Sequence, residues 1–107
     1  MRVINGTTDD KKIVYKATCE PTTSLREMVG EEIKVEDYIH YETEDRDSNP
    51  ISILVFICAD GMYSTISDTV KESFFNAEQV FETHKLTFKV VSGKTKSNRD
   101  YLDIRIV

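Results

Sequence analysis

"ISILVFICADGMYSTISDTVKESFFNAEQVF" (residues 51–81) changes its period halfway, and that change organises the chain. Ile51 to Ala59 is almost wholly apolar and of strand length, the pattern of a central strand covered on both faces. Asp60-Gly61 is a turn signal, and Met62 to Thr65 continue as a short extension. From there the apolar residues fall at helical spacing: Ile66, Val70, Phe74, Ala77 and Phe81 are separated by 4, 4, 3 and 4. One amphipathic helix from Ser67 to about Phe81 is expected, lying with one apolar stripe across a sheet. Ser67 and the Thr65-x-x-Asp68 spacing supply its N-terminal cap.

Upstream, "KIVYKATCE" (12–20) alternates, with Ile13, Tyr15, Ala17 and Cys19 on one face, and reads as a first strand. Glu20 to Gly30 reads as a long connection opened by Pro21. "EEIKVEDYIHYE" (31–42) reads as a second strand. Ile33, Val35, Ile39 and Tyr41 share its apolar side, and Lys34, Glu36, Tyr38 and His40 the polar side. The acidic stretch "ETEDRDSNP" (42–50) makes the turn into Ile51 and is expected to be solvated. Downstream, Leu86 to Ser92 and Tyr101 to Val107 read as two strands. Leu102, Ile104 and Ile106 face one way, and Tyr101, Asp103 and Arg105 the other.

The loop between those strands, "SGKTKSNRD" (92–100), contains Gly-Lys-Thr, the end of a phosphate-binding P-loop. The rest of that motif is missing. Phe88 stands where the first glycine belongs, and the residues after Lys94 read as a turn instead of a helix start. What remains is a short basic loop.

Charge points the same way. Residues 1–50 carry 7 Lys/Arg against 12 Asp/Glu, and residues 51–107 carry 7 of each. Within residues 85–107, however, 6 basic side chains face only Asp100 and Asp103. Phosphate binding needs such a local patch and does not need a basic average. The alternative is a soluble hairpin whose lysines protect a sheet edge.

A chain of 107 residues suits one domain over residues 1–107. The N-terminus lacks the apolar region of a signal peptide, and no apolar run reaches a membrane span, so an intracellular protein is expected. Cys19 and Cys58 sit in apolar surroundings and read as buried free thiols. No Cys/His/Asp cluster has metal-ligand spacing, no cofactor motif is present, and no arrangement of Ser, His and carboxylates suggests catalysis. The expectation is a protein that is not an enzyme and holds no metal or cofactor.

Strand, strand, strand, helix, strand, strand is the element order of an OB-fold. The fold expectation is therefore mainly β: an OB-fold-like five-stranded barrel with one helix between strands three and four. OB-folds bind oligonucleotides or oligosaccharides between two loops, which here would be Glu20–Gly30 and Ser92–Asp100.

"FICADGMYSTISDTVKESF" (56–74) followed by "FKVVSGKTKSNRDYLDIRI" (88–106) resembles the small single-stranded-DNA-binding proteins of tailed phages. The shared pattern is a strand ending in a D-G turn, then Tyr-Ser-x-Ile-Ser, a helix, a strand of F/I-K-V-V type, a basic loop and a last strand. It covers about Ile53 to Val107. The resemblance implies an OB-like fold, no catalysis, and binding of single strands exposed during phage replication in the cytoplasm of an infected bacterium. It places Tyr63 in "YSxIS" and Tyr41 on the second strand as candidate stacking residues. It also brings replication proteins and further copies of the chain into reach as partners, and implies no membrane.

Single strands are held by a positive groove and by aromatic rings that stack on bases. Tyr38, Tyr41, Tyr63 and Tyr101 are the stacking candidates: Tyr38 and Tyr101 lie on polar strand faces, capping the barrel is the competing reading of Tyr63, and core packing, favoured by alternation, that of Tyr41. Tyr15, Phe56, Phe74, Phe81 and Phe88 are assigned to the core. Lys94, Lys96 and Arg99 are the phosphate candidates, with Lys89 and Arg105 leading into them and Arg26 facing them across the groove. Two other classes remain open at this point. One is a phage-encoded inhibitor of a host defence protein acting through its acidic surface. The other is an RNA- or oligosaccharide-binding OB domain.

Overall fold

The structure, a computed structural model, describes residues 1–107. It is mainly β. In chain order the elements are β1 (Arg2–Gly6), α1 (Lys11–Cys19), β2 (Thr23–Ser24), a 3-10 turn (Leu25–Met28), β3 (Glu32–Lys34) and β4 (Asp37–Glu44). There follow β5 (Pro50–Cys58), β6 (Gly61–Thr65), α2 (Asp68–Phe81), β7 (Thr87–Lys94) and β8 (Asp100–Ile106). One sheet runs β1-β4-β5-β6-β2 and the other β3-β7-β8.

The strand expected over 31–42 is bent into two. Val35 N–H donates to the Leu86 carbonyl, toward the second sheet, and the next residue, Glu36, donates to Ile57 in the first. Successive backbone groups thus serve different sheets, and the chain passes from one to the other at this point. No ladder joins β6 to β8, so the sheets form an open structure and not a closed five-stranded barrel. Helix α2 lies in that opening. Its Ser67 cap accepts Val70 N–H at 3.2 Å and donates to the Leu102 carbonyl of β8 at 3.4 Å. Ser73 reaches Asp103 of the same strand at 2.6 Å.

The main core lies between the sheets and α2. Phe74 meets Tyr38 and Phe56 edge-to-face, each at 5.0 Å between ring centroids, and Phe88, Leu54, Val70 and Leu102 close around them. Edge-to-face packing of this kind adds about 0.5–1.5 kcal/mol per pair beyond the area buried.

A second helix, α1, replaces the first strand expected over 12–20. Asp10 decides it: its carboxylate accepts from Lys12 N–H at 3.0 Å and Ile13 N–H at 3.3 Å, capping the helix. Ile13, Val14 and Ala17 then share one face and pack on Ile39, Tyr41, Val55 and Ile57. Tyr15, on the other face, is 59% exposed, and Cys19 is exposed as well, so neither joins the core. Phe81, at the last turn of α2, is also exposed. Cys58 is buried as expected, and burial pushes its thiol up to about 12. The structure also adds an N-terminal strand, β1, paired antiparallel with β4.

Candidate nucleic-acid interface

The basic loop is the tip of the β7–β8 hairpin, and it is tightly built. Thr95 N–H donates to the Arg99 carbonyl and Asn98 N–H to the Thr95 carbonyl, both at 2.9 Å. Arg99 N–H donates to Thr95 Oγ1 at 3.2 Å. Asn98 takes the left-handed conformation (φ 62°) that such a turn requires and asparagine tolerates. The side chains of Lys89, Lys96 and Arg99 are exposed and make no ion pair. Lys94 stands 3.9 Å from Asp100, both exposed, a pair that adds little.

Arg105 differs. It lies opposite Lys89 in the ladder, but its guanidinium is paired with Asp103. Burial would raise the pKa of Asp103. Hydrogen bonds from Ser73, Arg105 and the Ile104 N–H outweigh that and hold it below the usual carboxylate range. Asp103, held by Ser73 of α2, braces β8 against that helix, and Arg105, tied to Asp103, is the least free of the expected phosphate ligands.

Tyr101 lies opposite Gly93 and packs against it: a Cβ at Gly93 would stand 2.6 Å from the Tyr101 hydroxyl. Its half-buried ring sits beside the basic tip. The other three stacking candidates are inside the protein. Tyr38 is 4% exposed, wedged edge-on against Phe74 and Phe75. Burial, then the nearby Glu78, pushes its pKa up to about 12. Tyr41 is buried beneath α1, and burial followed by Cys19 raises its pKa. Tyr63 is buried in the main core, its pKa raised by burial and by the nearby Asp60 carboxylate. None of these three rings has a face open to a base. The alternation rule misplaced Tyr38 because β4 is covered on both sides, by α2 and by α1, so both parities are interior.

Arg26 belongs to the 3-10 turn, and its side chain makes no ion pair. It lines a hollow of about 350 Å³ together with Ser92, Gly93, Lys94 and Asp100. It also lines a second hollow, of about 390 Å³, with Ile53, Ser64, Ile66 and Leu102. Ile66 in turn borders a third hollow beside Pro50, Ile51 and Lys71. Neighbouring hollows share Arg26 or Ile66, so the three form a row, a broken groove, beside the opening between β6 and β8. It runs from the base of the acidic β4–β5 turn to the base of the basic tip. Glu20–Gly30 does not join two strands of a barrel, and its Arg26 lines the same hollow as Lys94. Helical spacing assigns Ile66 to the apolar stripe of α2, whereas the structure leaves it exposed at the edge of the second hollow.

No helix is long and apolar enough to cross a membrane. The family model described as phage single-stranded DNA-binding protein matches residues 2–107. The match carries the resemblance read from residues 53–107 across the first half of the chain. No curated protein and no solved structure matches it.

Proposed function

The chain belongs to the phage single-stranded DNA-binding protein family, and from that premise we propose that it binds and protects single strands during phage replication without regard to sequence. The observation that carries the reading is the match across residues 2–107. That family binds nucleic acid and is not a family of enzymes. The site of action is the cytoplasm of the infected bacterium, where phage DNA is copied.

Phosphates are held by Lys94, Lys96 and Arg99 at the rigid tip, with Lys89 on the same hairpin and Arg105 as a flanking charge. Tyr101 is the ring available to stack on a base, an interaction of about 1–3 kcal/mol that tolerates any sequence. Tyr38, Tyr41 and Tyr63 act as framework. The fold is an opened OB-type barrel. The bent β3–β4 segment serves both sheets, α2 follows the β5–β6 hairpin, and β7–β8 supplies the binding loop.

Binding to poly-dT, followed by electrophoretic mobility and tyrosine fluorescence at low salt, tests this. Saturable binding to the single strand with little to duplex is expected. With three to five phosphate contacts, log affinity falls against log salt with a slope of roughly −2 to −3.5. Absence of binding, or equal binding to duplex, overturns the reading.

A further inference from the structure

The hollow of about 390 Å³ combines aliphatic side chains with one charged residue, Arg26, among hydroxyls. Ile53 and Leu102 form its floor, and Ile66, 63% exposed, stands at its edge. A lone exposed isoleucine is ordinary. Here it stands in a concavity beside the unpaired guanidinium of Arg26, which leads on to Lys94.

The hydroxyls around the hollow already serve the fold. Ser24 accepts the Arg26 N–H, Ser64 is bonded to Thr22 at 2.7 Å, Thr65 accepts the Ser67 N–H, and Ser67 caps α2. No aromatic residue lines the hollow. What it offers a ligand is aliphatic surface at the floor and fixed positive charge at the rim. That pairing suits an unpaired nucleobase attached to a phosphate backbone, with little means of reading which base is present.

We propose that this hollow is a base subsite of the bound strand. One unpaired base packs on Ile66 and Ile53, and Arg26 and Lys94 hold the adjoining phosphates. The strand thus leaves the basic tip across the opening between β6 and β8, and its contact there is aliphatic instead of aromatic. The inference rests on the single-strand reading and adds a site to it.

The chain has no tryptophan, so Ile66→Trp places a single reporter in the hollow. Val80→Trp, at a position 76% exposed near the far end of α2, is the control. Each variant is titrated with oligo-dT while binding is measured separately by mobility shift. The emission of Ile66→Trp should change saturably with the binding midpoint, and that of Val80→Trp should not.

Arg26→Glu should weaken binding about tenfold and flatten the salt slope by roughly 0.7. Arg46→Glu, the same charge change in the acidic turn, should weaken binding by no more than about two- to threefold at low salt. Full binding with a silent Ile66→Trp, and Arg26→Glu no worse than Arg46→Glu, overturns the subsite while leaving single-strand binding intact. Failure of the unmodified protein to bind oligo-dT overturns both.

Discussion

The two long hairpins end in the same turn with opposite charge. At the β4–β5 tip, Asp45 N–H donates to the Asn49 carbonyl at 2.9 Å and Ser48 N–H to the Asp45 carbonyl at 3.1 Å. The Asp45 carboxylate accepts the Asn49 N–H at 2.9 Å, and Ser48 is left-handed at φ 61°. At the β7–β8 tip, Thr95, Asn98 and Arg99 make the equivalent bonds. Around the first tip stand Glu42, Glu44, Asp45 and Asp47 with Arg46. Around the second stand Lys94, Lys96 and Arg99 with Asp100. Each turn is held by the backbone and one side-chain oxygen, which leaves the remaining side chains free to carry charge. On the proposed path between the bases of these tips, a bound strand meets attraction at one end and repulsion at the other.

The largest expected effect breaks the basic tip. The triple variant Lys94→Glu, Lys96→Glu, Arg99→Glu should weaken poly-dT binding by about 100- to 1,000-fold and flatten the salt slope by about 2. An unchanged slope removes the hairpin from the binding surface.

The shared turn chemistry gives a smaller effect, in stability. Asp45 accepts two backbone N–H groups, from Asp47 and Asn49, whereas Thr95 accepts one. Asp45→Ala should therefore cost about 1–2 kcal/mol in denaturant unfolding, and Thr95→Ala about half as much. The reverse order would show that the two turns are not held alike.

The smallest effect is at the acidic tip. Glu44→Gln with Asp47→Asn leaves the turn's own bonds in place and should tighten poly-dT binding about two- to threefold at low salt, fading as salt is raised. Weaker binding would mean that the acidic side chains help to hold a ligand.

How much of this is legible in the sequence depends on how local the cause is. β5, the Asp60-Gly61 turn, α2 and the β7–β8 hairpin follow from neighbouring residues, and they appear where expected. "KIVYKATCE" satisfies a period of two through Ile13, Tyr15, Ala17 and Cys19, and a helical face through Ile13, Val14 and Ala17. The Asp10 cap and the packing of Ala17 on Ile39 decide between them. The bend at Val35–Glu36 has no glycine or proline to announce it, because its cause is the distant carbonyls of Leu86 and Ile57. Tyr38 and Tyr41 point to opposite faces, and both are covered, which no alternation can reveal. The basic tip is contiguous and could be read directly. The groove takes Arg26, Ile53, Ile66 and Leu102 from four separate segments, so only the fold assembles it.

The most direct test is to follow backbone amide resonances while adding a short oligo-dT. Saturable shifts are expected at Lys94 to Asp100, Arg26 and Ile66, with the Asp45 to Asn49 turn unmoved. Shifts concentrated at Asp45 to Asn49, or binding that leaves the basic tip silent, would contradict the proposed path.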